Sequence, residues 1–280
     1  MLPPMLLALA ASAPLSAEEA RWNAPVAPFR IAGNLYYVGT AELASYLVVD
    51  PQGMILLDGG LEASAPLILD NIRALGFDPK RVRYLINSQA HYDHAGGLAA
   101  LKEATGAELL ASPADAELLE RGGSGDFQWG DRFIYPPVQV DGRLRDGAEL
   151  KLGAIRMTAY LTPGHTRGCT SWTMPVQVDG RARQALFVCG ASAPGYTLVG
   201  NAAYPWIMDD FRRSFATWRK LPCDLFLGAH GSYFGLAEKR ARMAPGRPNP
   251  FVDPKGCRAF LQGAEQRIEA QAAKGAMQGG

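Results

Sequence analysis

A chain of 280 residues has room for one large domain or two small ones. Hydrophobic residues make up 48% of it and the formal net charge is only +1, so it can bury a substantial core and presents no strong charge of either sign. The densest basic stretch, Lys239-Arg240-Ala241-Arg242, is short enough to be a solvated helix end, which excludes nucleic acid and anionic membrane surfaces as expected partners.

Residues 1–17, MLPPMLLALAASAPLSA, contain no charged side chain, hold an apolar stretch from Met5 to Ala11, and end in small residues. They read as a secretory signal peptide cut after Ala17, which leaves 18–280 as a single domain in the periplasm or outside the cell. A short buried helix is the plainer alternative. The apolar run is too short to cross a bilayer and no later stretch approaches about 20 apolar residues, so no membrane attachment is expected once the signal is removed.

Short β-like runs follow at NLYYVG, SYLVVD and GMILLDGG, the last two joined by the turn Asp50-Pro51-Gln52-Gly53. In LEASAPLILDNIRALGF the residues Leu67, Ile68, Ile72 and Leu75 share one helical face, and Gly76 ends the helix. VRYLIN is a strand, GGLAALKEATGA a helix closed by Gly106, and ELLASP another strand. Residues 121–137 form a loop rich in glycine and aromatics, longer than a plain connector needs. The alternation then repeats, with strands near Ile155–Leu161, Ser171–Val178 and Ala185–Cys189 and helices near Asp209–Lys220 and Cys257–Ala273. This pattern predicts one α/β domain, sheets inside and helices outside, in two similar halves.

Four cysteines, Cys169, Cys189, Cys223 and Cys257, allow three pairings or four buried thiols. None forms CxxC, which argues against a cysteine-built zinc site.

The chemistry concentrates in the four histidines. His91 and His94 lie in NSQAHYDHAGG, His165 in TPGHTRG and His230 in GAHGS, each at a turn directly after an apolar β-like run. One such histidine is more often structural than a ligand. Four of them, with Asp93 beside two, suit zinc, for which imidazole and carboxylate are good donors. From the turn His91-Tyr92-Asp93-His94, His91 can face one metal while Asp93 and His94 face another, two ions roughly 3.5 to 4 Å apart.

The segments LLDGG, NSQAHYDHAGGLAAL, DGAELKLG, TPGHTRGCTSW, APGY and DDFRRSFATWRKLPCD resemble the metallo-β-lactamase superfamily, and within it the third subclass of class B β-lactamases. The resemblance covers nearly all of the chain after residue 17 and implies an αββα sandwich, two mixed sheets inside and helices outside. It implies one zinc held by Gln89, His91 and His165 and a second held by Asp93, His94 and His230. Gln89 stands where most members carry histidine, so the second site is expected to be the tighter. The implied reaction is opening of the β-lactam ring of penicillins, cephalosporins and carbapenems by a zinc-bound hydroxide that Asp93 orients. Tyr196 is expected to donate to the oxyanion, Ser192 to bind the substrate carboxylate, and Phe127, Trp129 and Phe133 to line the cleft. The resemblance further implies a Cys223–Cys257 disulfide, and Cys169 and Cys189, on neighbouring predicted strands, are the candidates for a second.

Two other readings share the sequence. One is a secreted zinc hydrolase of another ester, lactone or thioester, since the superfamily's fold also carries those activities. Glyoxalase-like relatives place a metal-bridging aspartate at a strand end between the third and fourth histidines, whereas residues 186–196 here, LFVCGASAPGY, hold no acid. The other is a zinc-binding protein without catalysis, for which only Gln89 speaks.

Overall fold

The structure, a computed structural model, describes residues 14–278, so most of the expected signal stretch, residues 1–13, lies outside the described residues. The first element is α1 (Ala17–Trp22), started by a capping box in which the Ser16 hydroxyl accepts from the Glu19 amide and the Glu19 side chain accepts from the Ser16 amide.

An antiparallel meander follows: β1 (Phe29–Ala32), β2 (Leu35–Tyr37), β3 (Tyr46–Asp50) and β4 (Gly53–Leu57). Asp50 pairs with Gly53 across the tight turn, as the sequence implies. After α2 (Ser64–Ala74) the chain becomes parallel, through β5 (Val82–Ile86), α3 (Tyr92–Ala95), α4 (Leu98–Thr105), β6 (Glu108–Ala111), α5 (Pro113–Glu120) and β7 (Gly142–Arg143). Gly106 ends α4 at φ 74°, a left-handed cap that glycine takes without a Cβ clash. The first sheet thus has seven strands in chain order.

The second half contains β8 (Glu149–Leu152), β9 (Ile155–Leu161), β10 (Thr170–Val178), β11 (Arg181–Val188), α6 (Ile207–Lys220), β12 (Leu225–Gly228), α7 (Gly231–Phe234), α8 (Leu236–Ala241) and α9 (Pro254–Gln278). Its five-stranded sheet runs β12-β11-β10-β9-β8, antiparallel except where β12 lies parallel to β11. The halves are alike in plan but unequal in size. Pro175 lies inside β10 without disrupting it, because β9 pairs only with Thr170 to Thr173 and leaves the missing N–H without a ladder partner to serve.

The period-2 alternation of β3 and β4 sets the layers. Tyr46, Val48, Ile55 and Leu57 pack against Met157, Trp172 and Met174 between the sheets. Leu47, Met54 and Leu56 face the other way, onto Ile68 and Ile72 of α2 and Leu98 and Leu101 of α4. On the far side Leu261, Ala264 and Ile268 of α9 join the inter-sheet cluster, giving the order helix, sheet, sheet, helix. Each fully buried leucine or isoleucine contributes about 1.5–3 kcal/mol, so a Leu→Ala change on either face of β3 or β4 would cost more than most surface changes combined.

Two disulfides pin the second half. Cys169–Cys189 joins the turn before β10 to the end of β11, and Cys223–Cys257 joins the turn before β12 to the first turn of α9. Both flank segments that carry a histidine.

Candidate metal centre

Parallel strands deliver side chains at their carboxyl ends, and here several strands end at one edge of the sandwich. Gln89 and His91 follow β5; Asp93 and His94 stand on the single turn of α3, with His91 at its N-cap. His165 lies in the β9–β10 turn, and His230 follows β12 as the N-cap of α7. Single-turn helices separate consecutive side chains by about 100°. That is why His91 diverges from Asp93 and His94 within four residues.

Two donor sets result. His94 Nε2 and His230 Nε2 are 3.1 Å apart, and Asp93 Oδ2 lies 3.3 Å from the first and 3.5 Å from the second. His91 Nδ1 and His165 Nε2 are 3.2 Å apart. Donors around a tetrahedral zinc with bonds of roughly 2.0–2.1 Å stand about 3.3–3.4 Å apart, so both spacings fit. Gln89 is fully buried, and neither its Oε1 nor its Nε2 has a hydrogen-bond partner. An unpartnered buried amide costs about 1–3 kcal/mol, which a bound cation would offset.

Each imidazole has an oxygen behind it, as metal-binding histidines usually do, and that of His165 is hydrogen-bonded to it while His91 Nε2 and His94 Nδ1 only face theirs. His165 Nδ1 donates to the Ser192 carbonyl at 2.7 Å, His91 Nε2 faces Asp126 Oδ2 at 3.5 Å, His94 Nδ1 faces Asp58 Oδ2 at 3.9 Å, and His230 Nδ1 faces Glu42 Oε1 at 3.4 Å. These contacts select the other ring nitrogen of each as the lone-pair donor. Burial, with His91 beside it, pushes the His165 imidazole down to about 3, so it is neutral at physiological pH. Burial opposes ionisation of Asp93, but His94, His230 and His91 around it hold its carboxyl far below the usual range. Asp58 is pushed up to about 6 by burial, which His94 and the two Ser88 hydrogen bonds offset only in part.

The family model of the metallo-beta-lactamase superfamily matches residues 43–230, a span that ends on the fourth histidine. The chain belongs to the metallo-beta-lactamase superfamily. Its solved neighbours include metallo-beta-lactamases, one of them a subclass B3 enzyme. The native FEZ-1 metallo-beta-lactamase from Legionella gormanii superposes with a TM-score of 0.89 at 40% identity, covering 91% of this chain and 98% of that one. The subclass B3 metallo-beta-lactamase of Bradyrhizobium japonicum gives 0.87 at 37% identity, over 92% and 97%. Among curated relatives, a hydroxyacylglutathione hydrolase of Methylococcus capsulatus is 27% identical over 76% of this chain and 68% of its own length. A probable metallo-hydrolase of Burkholderia pseudomallei is 33% identical over 40% of this chain and 37% of its own.

The edge that carries the histidines opens into a cleft of about 470 Å³. One wall is aromatic: Trp129 meets Phe133 edge-on, and Phe133 stacks on Tyr92 with ring centroids 4.6 Å apart. The other is polar, with Ser192, Ser232 and Tyr233. One expectation needs correction. Phe127 is not among the residues that line the cleft; it packs edge-on against Tyr196 and Tyr204. Tyr196 lines the cleft with little of its surface exposed, and its hydroxyl donates to the His165 carbonyl at 2.8 Å. Ser192 and Trp129 do reach the cleft.

Sequence reasoning overlooked Trp22 and Glu18 of α1, which also line the cleft, Trp22 presenting its ring edge-on to His230. It also overlooked Glu42, Asp58 and Asp126. Asp58 sits in the quoted LLDGG run and takes a left-handed φ of 66°, which nothing in a single sequence announces.

Proposed function

We propose that this protein is an exported zinc hydrolase that opens the β-lactam ring of penicillins, cephalosporins and carbapenems. The observation that carries the reading is the pair of donor sets set edge to edge within a scaffold like that of subclass B3 enzymes. The end of β11, where a glyoxalase-like enzyme would place a bridging carboxylate, offers only Cys189, Gly190, Ala191 and Ser192, with the cysteine in a disulfide. That favours lactam over thioester substrates despite the hydroxyacylglutathione hydrolase relatives.

Gln89, His91 and His165 would hold one zinc, and Asp93, His94 and His230 the other. Zinc bound there lowers the pKa of water and polarises a carbonyl. The protein's own part is orientation. Asp93, with Oδ2 turned to His94 and His230, would orient the attacking water by accepting a hydrogen bond on its other oxygen. The new C–O bond forms as the lactam C–N bond breaks, and the proton that the water loses passes to the ring nitrogen. The aromatic wall of Trp129, Phe133 and Tyr92 packs against the apolar side of the substrate, and Ser192 with Tyr233 receives its carboxylate. Oxidised cysteines fit a periplasmic or extracellular site, and no helix among the described residues is long and apolar enough to cross a membrane.

The test is hydrolysis of a chromogenic cephalosporin beside a glutathione thioester, before and after chelation and zinc restoration. Lactam turnover that needs zinc and falls about 100-fold or more in Asp93→Ala supports the reading. Thioester turnover without lactam turnover would refute it.

A further inference from the structure

Asp115 is a carboxylate that the chemistry above does not use, yet it is only 2% exposed. It stands in the first turn of α5, where an acid three residues after a serine N-cap ordinarily reaches back to the cap amide. Here it turns away. Asp115 Oδ1 accepts from the Gly168 amide at 3.0 Å and Oδ2 accepts from the Thr166 hydroxyl at 3.1 Å. The Ala90 amide lies near enough to the same carboxylate to favour its ionised form.

These donors come from two segments far apart in sequence. Ala90 sits between Gln89 and His91, while Thr166 and Gly168 directly follow His165. The N-cap serine completes the clasp, since Ser112 Oγ donates to the Gly168 carbonyl at 2.7 Å. The fit is close: a Cβ at Gly168 would stand 2.2 Å from Ser112 Oγ and 2.5 Å from Asp115 Oδ1. On the other side, Tyr135 donates to the Ala90 carbonyl at 2.6 Å. Burying a carboxylate is costly unless its oxygens are hydrogen-bonded, and here the donors belong to the turns that bear Gln89, His91 and His165.

We propose that Asp115 is a positioning residue that fixes the Gln89–His91 turn against the His165 turn, and so sets the spacing of the donors at the Gln89 site while leaving the Asp93–His94–His230 site untouched. This rests on the reading that Gln89, His91 and His165 hold a metal. A site with an amide in place of an imidazole has little affinity to spare, so its geometry must come from the surrounding frame.

The experiment is titration of the full-length metal-free protein with zinc alone, followed calorimetrically, for the natural protein and for Gln89→Ala, Asp115→Asn and Thr166→Val. Gln89→Ala identifies the site in question as the one that it weakens. Asp115→Asn, which retains one acceptor, should weaken that same site about 10- to 100-fold and leave the other nearly unchanged, as losses behind a ligand typically do. Thr166→Val removes one donor without altering shape and should weaken it less, in the same direction. A merely structural role would lower the melting temperature of the metal-free protein and weaken both sites together, or neither; either result overturns the proposal. If Asp115→Asn does not fold, an unchanged binding constant in Thr166→Val overturns it alone. Should Gln89→Ala leave both constants intact, the reading of Gln89 as a ligand fails first and the proposal falls with it.

Discussion

Replacing Gln89 by methionine should move the stability of the metal-free and zinc-loaded proteins in opposite directions. Methionine matches glutamine in length and demands no hydrogen bond. Both Gln89 Oε1 and Nε2 are buried without protein partners. Relieving such atoms is worth about 1–3 kcal/mol, and a central figure of about 2 kcal/mol corresponds to a rise of roughly 4–8 °C in Tm for a domain of this size. With zinc in excess the same change removes a ligand. If affinity at that site falls about 100-fold, the stabilisation by zinc falls by about 2.7 kcal/mol. The variant should therefore melt above the natural protein after chelation and slightly below it in saturating zinc. Scanning calorimetry of both proteins in both conditions decides the matter. A variant that melts lower without metal would mean that the amide is already satisfied, and one that melts higher in zinc as well would remove Gln89 from the ligand set.

Gln89→His should tighten the same site at least about tenfold and bring zinc content towards two per chain under limiting metal, measured by metal analysis after dialysis at one low free zinc concentration. Tyr196→Phe should lower unfolding free energy by about 1 kcal/mol in denaturant titrations while leaving kcat nearly unchanged; a tenfold fall, about 1.4 kcal/mol in the barrier, would return the hydroxyl to the oxyanion role. Asp253 pairs at 2.9 Å with Lys239, which is 3% exposed and whose ammonium burial pushes towards neutrality. Asp253→Asn should cost about 1–3 kcal/mol, less than a fully buried pair because the carboxylate is part-exposed. The partly buried Asp253 carboxyl is held below its usual range, chiefly by Lys239, so the pair contributes above about pH 4 and its contribution is lost as pH falls through the depressed folded value, which acid unfolding of the two proteins would show converging. Thiol titration of the denatured exported protein should find no free cysteine, and four would deny both disulfides.

The histidines were legible because each stands at a turn after an apolar strand, where a core histidine has little reason to be. Gln89 was legible only by its place in the resemblance, since one glutamine carries no signal of its own. The braces behind the ligands were not legible. Glu42, Asp58 and Asp126 are ordinary acids in sequence, and only the fold brings them to the imidazoles. Helix α5 was missed because its eight residues are too few for a clear period, although Ser112-Pro113 followed by Asp115 is a helix-start signature. Strand β7 has two residues and no pattern at all. Tyr196 and Phe127 were placed in the right neighbourhood, but which way an aromatic points between a cleft and its floor depends on packing partners such as Tyr204, 77 positions after Phe127 and beyond anything that periodicity records.

The short helix at the beginning of the described chain ties that end of the protein to the cleft. Trp22 is fastened through its carbonyl to Thr40 and Glu42, and Asn23 next to it to Ser64, while Glu18 forms part of the cleft wall. Cleavage after Ala17 would remove Ser16, and with it a cap worth about 0.5–2 kcal/mol, and would put a new ammonium at the helix end that repels positive charge. Cleavage a few residues earlier would keep the cap and the wall. Glu18 and Trp22 both line the cleft, so a change at this end of the described chain alters the cleft wall itself. Two preparations with identical sequences from Glu18 onward could differ in KM for this reason alone.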